Sequence, residues 1–127
     1  MRFRTVILLL CFLIPVSCRT VREPELRAFA TDGCTCYPDG TLQAPDLWRP
    51  DCVAHDYAYW RGGSRAERRE ADRKLREGIR EKGKPLAADV AFLGVRLGGT
   101  PFLPTPWRWG YGWNQFPRGY RAAEDRK

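Results

Sequence analysis

Three stretches of this 127-residue chain carry the apolar spacing and boundary residues of helices. In the first, Pro50 suits an opening turn, and Gly62–Gly63 follows the last helical residue, Arg61. Residues three and four apart share a helix face. One stripe of this helix therefore carries Cys52, His55, Asp56 and Tyr59. A thiol, an imidazole, a carboxylate and a phenol on one face indicate a candidate site.

A capping box at Ser64 and Glu67 predicts the start of a second helix, which runs through Lys82. This helix is mostly charged, and its inward stripe carries Asp72, Leu75 and Ile79. A buried carboxylate is costly without a partner, so we expect Asp72 to have one.

The short Gly62–Gly63 turn predicts that the first two helices lie antiparallel. His55 and Asp72 both lie about 12–14 Å from the turn at ~1.5 Å per residue. Asp72 is therefore expected to face His55 and fix its tautomer, as a general base requires. The alternative is that Asp72 only bonds a nearby arginine.

A third, apolar helix is predicted from Pro85 to Leu97, with a stripe of Leu86, Val90, Leu93 and Leu97. Residues 100–120 are rich in proline, glycine and aromatic residues, and should either pack over the helices or offer an aromatic-cationic surface. The predicted fold is mainly α. It is a small disulfide-tethered domain with two antiparallel core helices, a third helix and an irregular aromatic C-terminal segment.

The N-terminal residues have the three parts of a secretory signal peptide, predicted over residues 1–18. The apolar run Thr5–Val16 is shorter than the ~20 residues of a membrane span. Cys18 is either lipidated, as in bacterial lipoproteins, or a simple cleavage point. Residues 19–28 are predicted to be a tether and 29–127 the domain. Export would make the protein periplasmic, anchored as a lipoprotein, or secreted.

The chain has 22 Lys and Arg against 15 Asp and Glu, a net charge of +7. It stays basic without Arg2 and Arg4, which suits an anionic phospholipid or membrane surface, unless the charge serves only solubility. Export disfavours nucleic acid as a partner, and we expect a monomer.

Cleavage of the signal leaves Cys34, Cys36 and Cys52, an odd number. The first two are too close to pair easily, so Cys52 should bond one of them. The loop over residues 31–41 has the turn residues of irregular structure and exposes backbone carbonyls. Such oxygens beside a carboxylate suit calcium. Zinc is disfavoured, since one histidine and a disulfide-bound thiol leave too few ligands.

These features together resemble the secreted phospholipase A2 family. The stretch Cys52–Tyr59 matches its Cys-x-x-His-Asp-x-x-Tyr signature, and Gly33–Cys36 matches the Gly-Cys-x-Cys of its calcium loop. Asp72 is similar to the aspartate that orients the histidine from the next helix. The resemblance covers about residues 29–82 and indicates a divergent bacterial member.

The resemblance implies calcium-dependent hydrolysis of a phospholipid ester. The implied catalytic residues are His55 as base toward water, Asp72 stabilising the imidazolium, and Tyr59 bonding Asp72. The implied calcium ligands are the Asp56 carboxylate and the carbonyls of Thr35, Tyr37 and Asp39. It also implies a Cys36–Cys52 disulfide, with Cys34 free or intermolecular.

The chain lacks the β-hairpin that the family often has between the two helices and most of the family's disulfides, and it also departs from the family at two places near the site. Asp51 stands where the family has the first of two cysteines, and Tyr37-Pro38-Asp39 replaces loop glycines. The altered loop favours an alternative function, a non-catalytic envelope lipoprotein or lipid-binding module on the same scaffold.

Overall fold

The computed structural model describes residues 24–122. The predicted signal peptide, Cys18 and the first part of the predicted tether lie outside the described residues. The three helices are α1 (Arg49–Arg61), α2 (Arg65–Glu81) and α3 (Pro85–Gly98). Residues 24–122 contain no strand, only an isolated antiparallel bridge between Leu26 and Trp113. The predicted mainly α class and the order of the helices are confirmed.

The junction of α1 and α2 contains the glycine stop and the capping box that the sequence predicts. Gly62 takes a left-handed φ of 65° and its N–H bonds the Ala58 carbonyl, which ends α1. The capping box is present: Ser64 Oγ accepts the Glu67 N–H at 3.2 Å, and Glu67 Oε2 accepts the Ser64 N–H at 2.8 Å. Stop and start signals this close together turn the chain back on itself, so α1 and α2 pack antiparallel.

The core lies where the three helices meet. Leu75 and Ile79 on α2 are 3% and 0% exposed, which confirms the predicted inward stripe. They pack with the other buried members of one apolar cluster, Trp48, Cys52, Ala88 and Ala91. Since α2 contributes to contacts with both neighbours, it is the middle helix of the three.

The helix α3 packs through its small residues and turns its large ones outward. Ala88 and Ala91 are its buried residues. The predicted stripe is exposed, from 49% at Val90 to 77% at Leu86. The small side chains let α3 approach α2 closely, and an apolar face, made of Leu86, Val90, Leu93 and Leu97, is left in solvent.

No helix within the described part of the chain is long and apolar enough to span a bilayer.

The aromatic C-terminal segment packs over the α1–α2 junction, the first of its two expected roles. Trp109 is 1% exposed, its Nε1–H bonds the Gly63 carbonyl at 2.9 Å, and its ring meets Tyr59 edge-on at 5.0 Å. The Gly110 N–H bonds the Tyr59 carbonyl at 2.6 Å. At the other end of the chain, residues 25–27 hydrogen-bond to 112–114, so ordered structure extends into the predicted tether.

The predicted Cys36–Cys52 disulfide is wrong, because the structure joins Cys34 to Cys52. A Tyr37 N–H to Cys34 carbonyl bond closes a turn, and the Asp39 carboxylate accepts the Cys34 N–H at 2.6 Å. These bonds hold Cys34 against α1, 5.1 Å between Cα atoms from Cys52. Cys36 has a φ of 58° at the corner of that turn and is exposed as a free thiol.

We predict that Cys34→Ser lowers the free energy of unfolding and Cys36→Ser does not. Closing a loop between residues 18 apart stabilises a chain by about 3 kcal/mol in the entropy model. Urea unfolding under non-reducing conditions measures the difference. Equal destabilisation by both variants would contradict the observed pairing.

Candidate functional site

The centre of the candidate site is a histidine–carboxylate pair between α1 and α2. His55 Nε2 lies 2.9 Å from Asp72 Oδ1. The two residues are 7% and 0% exposed. The antiparallel packing therefore brings His55 and Asp72 together, as their equal distances from the turn predict.

Asp72 is also bonded from α1 and α3. The Tyr59 hydroxyl donates to Oδ1 at 2.7 Å, and Arg96 Nη1 donates to Oδ2 at 2.7 Å. Burial raises the pKa of Asp72, but the hydrogen bonds from His55, Tyr59 and Arg96 outweigh it and hold the pKa below its usual value. The carboxylate is therefore ionised at neutral pH, and both expected partners, histidine and arginine, are present.

The ionised carboxylate sets the tautomer of His55. An acceptor at Nε2 requires the neutral ring to carry its proton there, which leaves a lone pair on Nδ1. Within residues 24–122 the ring makes its one hydrogen bond to Asp72. His55 also lines an apolar cavity beside the helices, so its Nδ1 is available to accept a proton from a molecule bound there.

Arg68 is a buried part of the site that sequence reasoning missed. Its Nε donates to the Tyr59 hydroxyl at 3.1 Å, and its Nη2 bonds the carbonyls of Val95 and Arg96 at 2.9 Å each. It lies four residues before Asp72, the spacing of neighbours on one helix face, which could have indicated it. Its contacts tie Tyr59 to α3, and burial followed by the charge of Asp72 raises the pKa of Tyr59.

Arg96 was missed as well. It is the one basic residue of a mostly apolar helix, and this position could have indicated a buried acidic partner. A charged residue with its side chain 30% exposed on such a helix needs a partner, and here the partner is the fully buried Asp72.

A cavity of about 400 Å³ opens in front of His55. It lies between α1, α3 and the loop over residues 33–37, and apolar atoms make up most of its lining. Of the predicted site residues, the lining includes His55, Asp56, Tyr59, Thr35 and Tyr37. Asp72 lies behind His55, and Asp39 is not part of the lining.

Asp56 is the carboxylate of the cavity. Its Oδ2 accepts the Thr31 hydroxyl at 2.6 Å, a contact that sequence reasoning missed. Burial raises the pKa of Asp56, while the bond from Thr31 and the charge of His55 lower it less strongly. Within the described residues the carbonyls of Thr35 and Tyr37 accept no hydrogen bond, so these two oxygens remain available as ligands for a hard cation.

Asp39 serves the loop rather than the cavity. Its carboxylate accepts from the Cys34 N–H and from Arg49 Nη1 at 2.9 Å, and its carbonyl accepts the Trp48 N–H at 2.9 Å. The structure thus places three of the four predicted calcium ligands on one cavity and the fourth in a separate hydrogen-bond network.

A second group, Cys34, Asp39 and Cys52, has its ligand atoms within 4.8 Å of one another in the described chain. Both sulfurs are joined in the disulfide, and the carboxylate is held by Cys34 and Arg49. A thiolate is the form of cysteine that binds metal, so this group is not suited to hold an ion.

Comparison with known proteins finds no matching family model, no matching curated protein and no matching solved structure.

We predict that Asp72→Asn lowers the free energy of unfolding at pH 7 by about 3 kcal/mol or more, because it removes the buried carboxylate that pairs with Arg96 at 2.7 Å and with Arg68 at 4.0 Å. The folded pKa of Asp72 is depressed. Its stabilisation is therefore complete above the unfolded pKa of about 3.9 and is lost as pH falls through the lower folded value.

Urea unfolding of both proteins at pH 7, 5 and 3 measures this. The gap between wild type and Asp72→Asn should persist from pH 7 to 5 and narrow toward pH 3. A gap that widens on acidification would contradict an ionised, favourably paired Asp72.

Proposed function

We propose that this protein hydrolyses an ester bond of a phospholipid, with calcium as cofactor and the His55–Asp72 pair activating water. The observation that carries the proposal is the orientation of His55. One ring nitrogen bonds a buried carboxylate, and the ring lines an apolar cavity beside a second carboxylate, Asp56. The resemblance to secreted phospholipase A2 supports the same reaction.

His55 Nδ1 accepts a proton from a water molecule in the cavity, and the water oxygen attacks the ester carbonyl. The imidazolium that forms is stabilised by Asp72, which stays ionised because Tyr59 and Arg96 also donate to it. The proton then passes from His55 to the leaving alcohol. Arg68 fixes the Tyr59 hydroxyl and so keeps the carboxylate in place.

Asp56 and the carbonyls of Thr35 and Tyr37 would hold calcium. Their chemistry fits, since calcium takes carboxylate and carbonyl oxygens and completes its shell with water. When bound, the ion supplies a positive charge for the phosphate and the developing oxyanion. The Thr31 hydroxyl orients the Asp56 carboxylate for this role.

Two further features support a lipid substrate held in a membrane or micelle. The apolar face of α3 borders the cavity, because Val90 belongs to both. The chain is also basic, with a net charge of +7, which favours anionic lipid surfaces. The Cys34–Cys52 disulfide supports an exported, oxidising location for this activity.

The loop keeps a second candidate function open, a lipid-binding module without catalysis. The carbonyl of Asp39, expected as a calcium ligand, bonds Trp48 instead. A site with fewer protein ligands binds calcium more weakly, and the apolar cavity alone would still accept a lipid chain.

We predict that His55→Gln abolishes phospholipid hydrolysis while leaving the helices intact. Glutamine retains a hydrogen bond to Asp72 but cannot take the proton of water, and a positioned base contributes about 10² to 10⁴ in rate. Release of fatty acid from phosphatidylglycerol vesicles with calcium measures activity, and far-ultraviolet circular dichroism checks the fold.

Asp72→Asn is the graded comparison, because it disturbs the imidazolium without removing the base and should cost less. Hydrolysis by His55→Gln at the wild-type rate would exclude His55 as the base. A wild type that binds the vesicles but releases no fatty acid would support the lipid-binding module.

We predict that Asp56→Asn removes calcium binding and that Asp46→Asn does not. Asp46 is an exposed carboxylate in the preceding loop and controls for the loss of one charge. Calorimetric titration with calcium, with and without short-chain lipid, measures both variants. Equal calcium affinity in the two variants would show that Asp56 is not a calcium ligand.

A further inference from the structure

The cavity follows a glycine-containing face of α3. Its lining takes Val90, Ala91, Gly94, Val95 and Gly98 from this helix. These positions recur at three- and four-residue spacing and so form one strip along the helix. Val90 and Gly98 are two turns apart, about 12 Å along the helix axis. The strip shares Ala91 with the buried face of α3 and Val90 with its exposed apolar face.

Gly94 has no packing reason to be a glycine. It lies in the interior of α3, where glycine is unfavourable relative to alanine. A Cβ built at Gly94 would meet no atom within 4 Å, so neither the fold nor a neighbour excludes a side chain there. Gly99 is different, because a Cβ at that position would collide with the Tyr59 ring.

The space in front of Gly94 is part of the cavity that also receives His55. His55 is 7% exposed, and its Nδ1 has no hydrogen-bond partner within residues 24–122. An unpartnered nitrogen on a largely buried ring and an unfilled apolar strip beside it are the features of a site that receives a ligand with one polar and one apolar end.

We infer that the strip along α3 holds a single unbranched alkyl chain, and that Gly94 is a specificity-determining residue that keeps the strip open for it. The identity of this chain as the acyl chain of a phospholipid rests on the proposed function. A side chain at position 94 narrows the strip between Val90 and Gly98 and so excludes the distal methylenes of a long chain. Short chains, which do not extend along the helix, are unaffected.

The test uses hexyl-, octyl- and dodecylphosphocholine, each below its micelle-forming concentration. These probes carry a phosphate and one alkyl chain but no carboxylic ester, so binding is measured without hydrolysis. Calorimetry on the wild type should show affinity rising with chain length, about fourfold for each methylene taken from water. In Gly94→Phe the gain from octyl to dodecyl should disappear, while hexylphosphocholine binds as in the wild type.

Gly94→Ala provides a second variant that is expected to fold at least as well as the wild type. Replacing a helical glycine without a collision should raise Tm by roughly 4 °C, and it should weaken dodecylphosphocholine binding less than phenylalanine does. Leu42→Phe is the control, because it adds an apolar ring at a 96% exposed position outside the cavity lining. It should keep the wild-type dependence on chain length.

Gly94→Phe with the wild-type chain-length dependence would overturn the inference, and so would a wild type whose affinity does not rise with chain length. Failure of the proposed hydrolysis is a separate outcome. If the protein releases no fatty acid but Gly94→Phe changes the chain-length dependence of binding, the alkyl-chain site is supported and the proposed hydrolysis is wrong.

Discussion

Burial of one carboxylate organises this molecule. Asp72 is 0% exposed, and an ionised group at that depth is tolerated only when its oxygens are fully bonded. The donors come from the other two helices, His55 and Tyr59 from α1 and Arg96 from α3, while Asp72 itself lies on α2. Meeting this one requirement ties the three helices together and leaves Nδ1 of His55, a residue that lines the cavity, outside the bonds to Asp72.

Sequence reasoning succeeded where structure is local. The capping box at Ser64, the glycines after Arg61 and the helical period fixed the boundaries of α1 and α2 to within a residue or two, and counting from their turn paired His55 with Asp72. These features depend on neighbours within one or two turns. Calcium binding and ester hydrolysis stay proposals, because a sequence predicts the side chains of a site more directly than the ligand that the site binds.

The features that sequence reasoning missed depend on contacts between distant parts of the chain. The choice between Cys34 and Cys36 was decided by a turn that the Tyr37 N–H closes and the Asp39 carboxylate braces, and spacing alone does not reveal such a turn. The face that α3 buries was decided by how closely it approaches α2, so Ala88 and Ala91 pack inside while larger residues face solvent. Arg68 and Arg96 joined the site through carbonyl and carboxylate partners on other helices.

The cover that Trp109 places over Tyr59 has a consequence for the order in which the molecule assembles. The chain reaches Trp109 about fifty residues after Tyr59, so a growing polypeptide can form the α1–α2 pair long before the cover exists. Distant closures of this kind are slow steps, because chain entropy is lost before the contact compensates. Arg96, which also donates to Asp72, follows both α1 and α2 in the chain, so the buried carboxylate receives its full set of donors only after α3 has been made.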